Sequence, residues 1–501
     1  MPFLSILASA GIGLTIFATV RWIGRQSLTL QTIVAGGLLA RTILGLSLFW
    51  ISYLGLPILP SLQFGGGFWT PMVDATGYFQ GAATAAEQGL STISPGSGSP
   101  FFTKTLAIWM QVVGVSPCAG MFLNLSLYIG SCALLTRLFR PVGRWRLDLP
   151  LVITVGAISF SPVLLIDSTQ PLKDDVFLML VIVVCAATLL LFQSMLRATA
   201  NRRLKFGAAL CVLAAAIYGI AGIRAYYPVI VSACLALALT CIVIASSRGL
   251  RLRRGLTGAI VMGTVWCAYW SGAGTDYRPS LEERHRIAES LHWNRGAHAG
   301  DGALETALFA VDGARTGFVA SGGDTNIARD PNPSAVAPPV ARESSPNVSA
   351  DAAPVAPKSA PDVTLAYSSH SRFTLVGVGL AVIVVPISIL KATSVVGFSG
   401  GRGLLPVADV DAVFMDASLL ALGFLVFRRR HAIGDHRAFV IFGVTLGVVT
   451  AVLLGYVVTN FGTLFRMRYL VATPLWMLAL AISPRQSSVS RLADKDQFDR
   501  G

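Results

Sequence analysis

A chain of 501 residues with a mean hydropathy of +0.66, 54% hydrophobic and 13% charged residues stands far from the soluble globular balance of roughly 25% charged. This composition excludes an ordinary soluble domain and points to an all-α, polytopic membrane helix bundle, because stretches of about 20 apolar residues each cross a hydrocarbon core of about 30 Å as a helix. The net charge of +14 does not signal nucleic acid, since the arginines stand in short clusters between apolar runs, where they orient helices against the membrane.

The first apolar run, near 3–20, ends at Arg21 and Arg25. It has neither a basic leader nor a small-residue cleavage site, so a retained helix is expected rather than a signal peptide. Further spans are expected near 29–50, 117–137, 149–167, 176–195, 206–222, 228–246, 257–272, 412–427, 438–458 and 468–483, about eleven in all. Residues 374–391 are apolar enough to cross, but a full crossing would put the arginines at 428–430 on the wrong side. They are read as re-entrant or interfacial, or as paired with a short pass near 392–406. The chain then divides into N-terminal transmembrane helices (1–272), a large loop (273–373), C-terminal transmembrane helices (374–483) and a short polar cytoplasmic tail (484–501). Cys118, Cys132, Cys185, Cys211, Cys234, Cys241 and Cys267 all lie inside apolar segments without CxxC spacing. They read as small buried residues, not as a metal site or a disulfide framework.

Four basic clusters set the orientation: Arg137 to Arg146, Arg197 to Lys205, Arg248 to Arg254, and Arg428 to Arg437. The positive-inside rule turns these loops to the cytoplasm. Residues 51–103, 168–175 and 273–373 then lie outside. The last of these holds 12 of the 25 acidic residues, in keeping with that side. Within it, the Pro-, Ala- and Ser-rich stretch 331–362 has almost no bulky apolar residue and is expected to be a disordered linker.

Against this topology some residues on the outer side need a reason. Asp74 opens a helix expected over 74–88, with Tyr78 and Ala82 on the same face and Gly89 as its stop. Held there, its carboxylate could take a proton from a hydroxyl; the competing reading is a plain N-cap. Lys173 before Asp174 and Asp175, Arg224 before Tyr226 and Tyr227, and Arg466 and Arg468 before Tyr469 place bases where orientation statistics disfavour them. An anion at the membrane surface, such as a lipid-linked phosphate, explains them through charge-assisted hydrogen bonds. The alternative is snorkelling to headgroups or pairing with Asp174 and Asp175.

The order and shared sidedness of Asp74 with Tyr78, Lys173 with Asp174, Arg224 with Tyr226, and Arg466 with Arg468 and Tyr469 resemble the GT-C superfamily of integral-membrane glycosyltransferases. The likeness is to the bacterial polyprenyl-phosphate-sugar-dependent kind, over roughly residues 29–483. The resemblance implies a multi-pass protein of a bacterial inner membrane that moves a sugar from a polyprenyl-phosphate donor to a glycan, lipid or protein acceptor at the outer face. In it Asp74 is the expected base, with Asp174 and Asp175 as alternative carboxylates; Lys173, Arg224, Arg466 and Arg468 hold the donor phosphate; Tyr78, Tyr226, Tyr227 and Tyr469 meet sugar or acceptor. It requires no nucleotide-binding loop, makes no cofactor certain and leaves a divalent metal open. Two rival functions are an O-antigen-type polysaccharide polymerase, and a lipid-linked sugar flippase or transporter, which would need paired broken helices in an internal repeat.

Two further patterns carry less. Asp409-Val-Asp411 spells the metal-binding DxD of soluble nucleotide-sugar transferases, but on the outer side nucleotide sugars are scarce; Asp409, Asp411 and Asp416 are instead expected near an acceptor cavity. The histidines at 285, 292 and 298 have no regular ligand spacing and are expected in solvent.

Overall fold

A computed structural model describes residues 2–69, 73–93, 99–139, 148–196, 201–273, 405–457 and 461–483. The expected linker 331–362, the segment 374–391 and the three histidines fall outside these residues. The described chain is a bundle of α-helices with one small two-stranded ribbon, β1 (Gln63–Gly65) paired antiparallel with β2 (Phe68–Trp69). Among the described residues eight helices are long and apolar enough to cross a membrane, and Leu149–Phe160 and Met467–Ala481 are shorter apolar segments.

Helices α1 (Pro2–Gln26) and α2 (Leu28–Tyr53) are joined by Ser27 alone, whose buried hydroxyl caps α2 by accepting from the Leu30 amide at 3.4 Å. After the ribbon come α3 (Val73–Gln88) and α4 (Pro100–Val113). Helix α3 matches the expected 74–88 and ends at Gly89, whose φ of 106° suits glycine. Helix α4 is an addition to the sequence reading. It forms behind Pro100 at its first position, and Phe102, Leu106 and Met110, spaced by four, bury one apolar face.

Helix α11 (Arg248–Ala273) covers the expected 257–272 but takes in the basic cluster 248–254 and is not among those eight, whereas α5 (Pro117–Leu138), α8 (Asp174–Leu196), α9 (Arg202–Ala221) and α10 (Tyr226–Ile244) follow the expected spans. So do α12 (Leu405–Arg428) and α13 (Arg437–Val457). Helix α14 (Phe461–Ala481) starts about two turns earlier than the expected 468, so Arg466 and Arg468 lie inside it rather than before it. The expected span 149–167 is corrected to two helices, α6 (Leu149–Phe160) and α7 (Pro162–Asp167). Pro162 explains the break: it has no N–H to give the preceding turn, and it pushes Ser161 away from helical backbone.

In lipid the hydrophobic effect does not drive helices together, so close packing has to. Helix α8 is the centre, with 78% of its spanning window buried, whereas α1 is peripheral with 6%. Gly219 lets α9 approach α8 closely, with Leu180 and Phe101 against the place a side chain would occupy. The seven cysteines are all free; Cys132, Cys185 and Cys234 are buried as expected, but Cys211 and Cys267 are exposed on the outward faces of their helices.

The two ends of the bundle differ. At one end the basic clusters cap helix termini: Arg202 donates to the Met195 carbonyl at 2.8 Å, Arg251 to that of Ser246 at 3.0 Å, and Arg429 to the Ser483 hydroxyl at 3.3 Å. At the other end sit the α3–α4 hairpin, the 168–173 turn, the 222–225 turn and the start of α14. All the candidate site residues with described side chains lie towards this hairpin end.

Candidate functional site

The turn before α8 holds Lys173, and α8 begins on Asp174, which is fully buried. Arg224 lies in the turn between α9 and α10, and its guanidinium reaches Asp174 at 3.4 Å. Tyr469, in the third turn of α14, donates its hydroxyl to the Asp174 carboxylate at 3.3 Å. Arg224 also donates to the Tyr226 hydroxyl at 3.4 Å and lies over the Phe177 ring, 5.4 Å from its centroid. Burial works against this cation, but Asp174 and the Tyr226 and Tyr469 hydroxyls outweigh it and hold the guanidinium pKa above the ordinary arginine value.

The hairpin is latched to the same corner through Ser99. Its hydroxyl accepts from Lys173 Nζ at 2.7 Å, lies 3.4 Å from the Tyr78 hydroxyl, and donates to the Ile223 carbonyl at 3.3 Å. Lys173 Nζ also sits 5.3 Å from the Tyr78 ring centroid. The Phe101 amide donates to the Gly222 carbonyl at 3.1 Å, so the hairpin and the Arg224 turn are also joined through backbone. Tyr78, Lys173, Asp174, Arg224, Tyr226 and Tyr469, drawn from α3, α8, α10, α14 and two turns, therefore form a single corner.

Other expected site residues stand apart from it. Asp74 is exposed in the first turn of α3, as the second helical residue rather than the flanking cap, where the helix dipole favours its charge. Tyr227 is fully buried with its ring edge-on to Phe177, and so belongs to the core rather than to an exposed surface. Asp175 is buried one residue inward from the corner, within electrostatic reach of Arg41 and Asp174. Arg468 is buried on α14 and acts electrostatically on Asp411 and Asp416 of α12. The side chains of Arg466 and Asp409 lie outside the described residues.

The break between α6 and α7 gathers a second set of charges: Arg41, which sequence reasoning missed, and Asp411, expected near an acceptor cavity but engaged here with the start of α7. Arg41, buried in the middle of α2, donates to the Ser159 and Ile158 carbonyls at 2.7 Å each, and so closes the C-terminal end of α6. Its guanidinium stacks 4.0 Å from the Tyr128 ring centroid, and the Tyr128 hydroxyl donates to the Val34 carbonyl at 3.1 Å and lies 2.8 Å from the Ser159 hydroxyl. Gly37 makes room for this: a Cβ there would overlap Tyr128 and Ser159. On the far side of the break, Asp411 accepts from the Ser161 hydroxyl and from the Val163 amide at 3.3 Å, at the start of α7. Cation on a helix C-terminus and carboxylate on a helix N-terminus are the signs the dipoles favour. The available signals were Arg41 alone inside the apolar run 29–50 and the Ser161-Pro162 pair inside 149–167.

Among the described residues no three His, Cys, Asp or Glu side chains gather as a metal site. A shallow groove of about 420 Å³ on α1, lined by Leu14, Thr15, Ala18, Thr19 and Trp22, contains none of the charged residues. Fold and corner together define a polytopic helical membrane protein with a cationic, tyrosine-lined corner at one end of its bundle. No family model, curated protein or solved structure matches this chain.

Proposed function

We propose that this protein is a GT-C-like glycosyltransferase of a bacterial inner membrane, with its hairpin end facing outward, and that it takes sugar from a polyprenyl phosphate. The observation that carries the reading is the meeting of Lys173 and Arg224, from separate turns, beside Tyr78, Tyr226 and Tyr469. These contacts are long or shared, so a phosphate can replace them: the guanidinium offers a fork of donors, and Lys173 adds a point charge.

In the reaction, the acceptor oxygen forms a bond to the anomeric carbon as the bond from that carbon to the phosphate oxygen breaks, and the leaving phosphate keeps the electron pair. Lys173 and Arg224 stabilise that charge in a partly dry corner, which is usually the larger catalytic term. Asp74, on the hairpin latched to the corner, takes the proton from the acceptor hydroxyl. The acceptor is an envelope glycan, lipid or protein.

The broken α6–α7 pair favours a second reading, a lipid-linked sugar flippase, since transporters build sites on discontinuous helices. Here, however, the broken ends are filled by Arg41 and Asp411. Reconstitution with a polyprenyl-phosphate sugar decides between the two. A new glycosidic product found by mass spectrometry supports the transferase. Transbilayer movement of the donor with no product supports the flippase, and a ladder of long glycans would point to a polymerase.

A further inference from the structure

The loop between α2 and the ribbon is apolar, and the described residues leave it uncovered. From Thr42 to Val73 the chain has no charged side chain. Every residue from Tyr53 to Pro60 is exposed, and the side chains of Leu54, Leu56, Ile58, Leu59 and Phe64 are 38–60% exposed. Leu59 has a φ of 52°, in the left-handed region where glycine or asparagine fits with less strain, yet it carries a bare apolar side chain. The loop also uses up its own backbone. The Leu54 amide donates to the Trp50 carbonyl at 2.9 Å, the Leu56 amide to that of Ile51 at 3.0 Å and the Ile58 amide to that of Leu56 at 2.7 Å. The Gln63 side-chain amide donates to the Leu56 and Ile58 carbonyls at 2.7 Å each, and Pro57 and Pro60 have no N–H to satisfy. A loop in water can leave such groups to solvent, whereas a loop against hydrocarbon has to pair them internally.

Three tethers hold this loop at the level of the last turns of α2. The Ser52 hydroxyl donates to the Phe68 carbonyl at 2.6 Å, the Trp69 indole N–H donates to the Leu48 carbonyl at 2.9 Å, and Gly67 lies so close to Phe49 that a Cβ would overlap the ring. The ribbon therefore folds back along α2. At the same level ends an outward stripe of α2, formed by Leu39, Ile43, Leu46, Trp50 and Tyr53, spaced by three or four residues and 39–60% exposed. Leu54 follows Tyr53 directly, so the stripe runs on into the loop. Trp50 and Tyr53 here, and Trp266 and Trp270 at the hairpin end of α11, are half-exposed rings of the kind that collect where hydrocarbon meets headgroups. Lipid fits this surface better than a protein does, because a protein interface brings about one hydrogen bond per 100–200 Å² and the loop's carbonyls at Leu56 and Ile58 are already engaged.

We propose that residues 54–64 insert into the leaflet at the hairpin end, at the boundary of headgroups and acyl chains, and that this insertion sets the height of the corner. The link is Phe68, buried together with Ala75 of α3 and with Leu172, the residue before Lys173. Its ring centroid also lies 5.5 Å from that of Phe79. The inserted loop thus bears on the turn that holds Lys173 and on the helix that carries Asp74 and Tyr78. Insertion rests on the loop's own surface and backbone; the setting of height rests on the donor reading above, in which the corner meets a phosphate at headgroup level.

The test uses the full-length protein in nanodiscs of phosphatidylethanolamine and phosphatidylglycerol, with the exposed Cys211 and Cys267 replaced by serine and that background as the labelling blank. A nitroxide at Leu56→Cys or Ile58→Cys should collide more with oxygen, which concentrates in lipid, than with a water-soluble nickel chelate. A label at Ile43→Cys on the α2 stripe should do the same, and one at Glu87→Cys on exposed α3 surface the reverse. The double variant Ile58→Asp/Leu59→Asp changes two exposed side chains, and aspartate suits the Leu59 backbone. It should melt like the wild type in detergent, turn a Leu56→Cys label to the nickel side, and bind polyprenyl phosphate about tenfold more weakly in nanodiscs. Loop labels that favour the nickel chelate overturn the proposal. Labels shielded from both probes, with a dimer seen by mass photometry, overturn it in favour of a second copy of the chain. Lipid-side labels with wild-type donor affinity in the double variant overturn the setting of height. A wild type that binds no polyprenyl phosphate while its loop labels stay on the lipid side sinks the donor reading and leaves the insertion standing.

Discussion

Arg41 and Arg224 are both arginines set among apolar helices, and their surroundings could hardly differ more. Arg41 is 1% exposed, and its terminal nitrogens donate to two backbone carbonyls at 2.7 Å. Arg224 keeps 12% of its side chain exposed, and its bonds to Asp174 and Tyr226 are 3.4 Å long. Short bonds to backbone on a helix end make a charge part of the scaffold. Long bonds to side chains at a solvent-facing turn leave it able to change partners, and weak geometry of this kind is readily exchanged for a better acceptor. A bare arginine in an apolar run is thus no guide to function until its partners are known, although intramembrane charge is a fair place to look.

The largest effect should come from the latched hairpin. Asp74→Asn keeps the side-chain shape in the first turn of α3, gives up only the roughly 0.3–1 kcal/mol of its charge on the helix dipole and removes the proton acceptor, so turnover should fall by about 10²–10⁴-fold, with helix content by circular dichroism unchanged. Near-normal turnover in a folded variant would take Asp74 out of the mechanism and turn attention to Asp174 and Asp175. Next, Arg41→Ala should strip the α6 end of its partner and lower stability by about 3–5 kcal/mol, read as thermal unfolding in detergent. Its folded fraction should still bind phosphate. A stable Arg41→Ala protein without phosphate binding would reverse the contrast between the two arginines.

Arg224→Lys sharpens the contrast at lower amplitude. It keeps the charge but loses the planar fork, so donor affinity should fall by roughly tenfold, as measured by titration of polyprenyl phosphate. The smallest effect is expected at the break: Ser161→Ala removes a side-chain cap of α7, which accepts from the Leu164 amide at 3.4 Å. That should cost about 1 kcal/mol with no change in phosphate binding.

Much of the bundle was legible because apolar run length and arginine clusters are properties of the sequence alone. Arg202 and Arg251, from two of the basic clusters, do cap the ends of preceding helices at one side, and Asp174, Arg224 and Tyr469 meet at the other. The break at Pro162 was hidden inside a run whose hydropathy stays high on both sides of it, and hydropathy is blind to a missing N–H. Helix α4 was hidden for another reason. At 14 residues it is too short to read as a span, and it packs first on α3 and then on α1 and α5. Within the site, pairing of the outer bases with Asp174 or Asp175 was the alternative to a bound phosphate, and the sequence did not say which base would pair. Lys173 reaches Ser99, 74 positions earlier, and Asp174 receives Arg224 and Tyr469, 50 and 295 positions later. Contacts over such separations follow from how helices pack, and no local spacing encodes them.

The central claim is that the hairpin-end corner binds a phosphate by exchanging internal partners for it. Because Asp174 is fully buried, removing Arg224 alone would leave a lone buried charge and confuse folding with binding. The paired variant Arg224→Gln/Asp174→Asn removes both charges at once. Measured in nanodiscs by titration with a polyprenyl phosphate, it should melt close to the wild type and bind at least about tenfold more weakly. Wild-type affinity in that folded pair would contradict the account and return Arg224 to the scaffold.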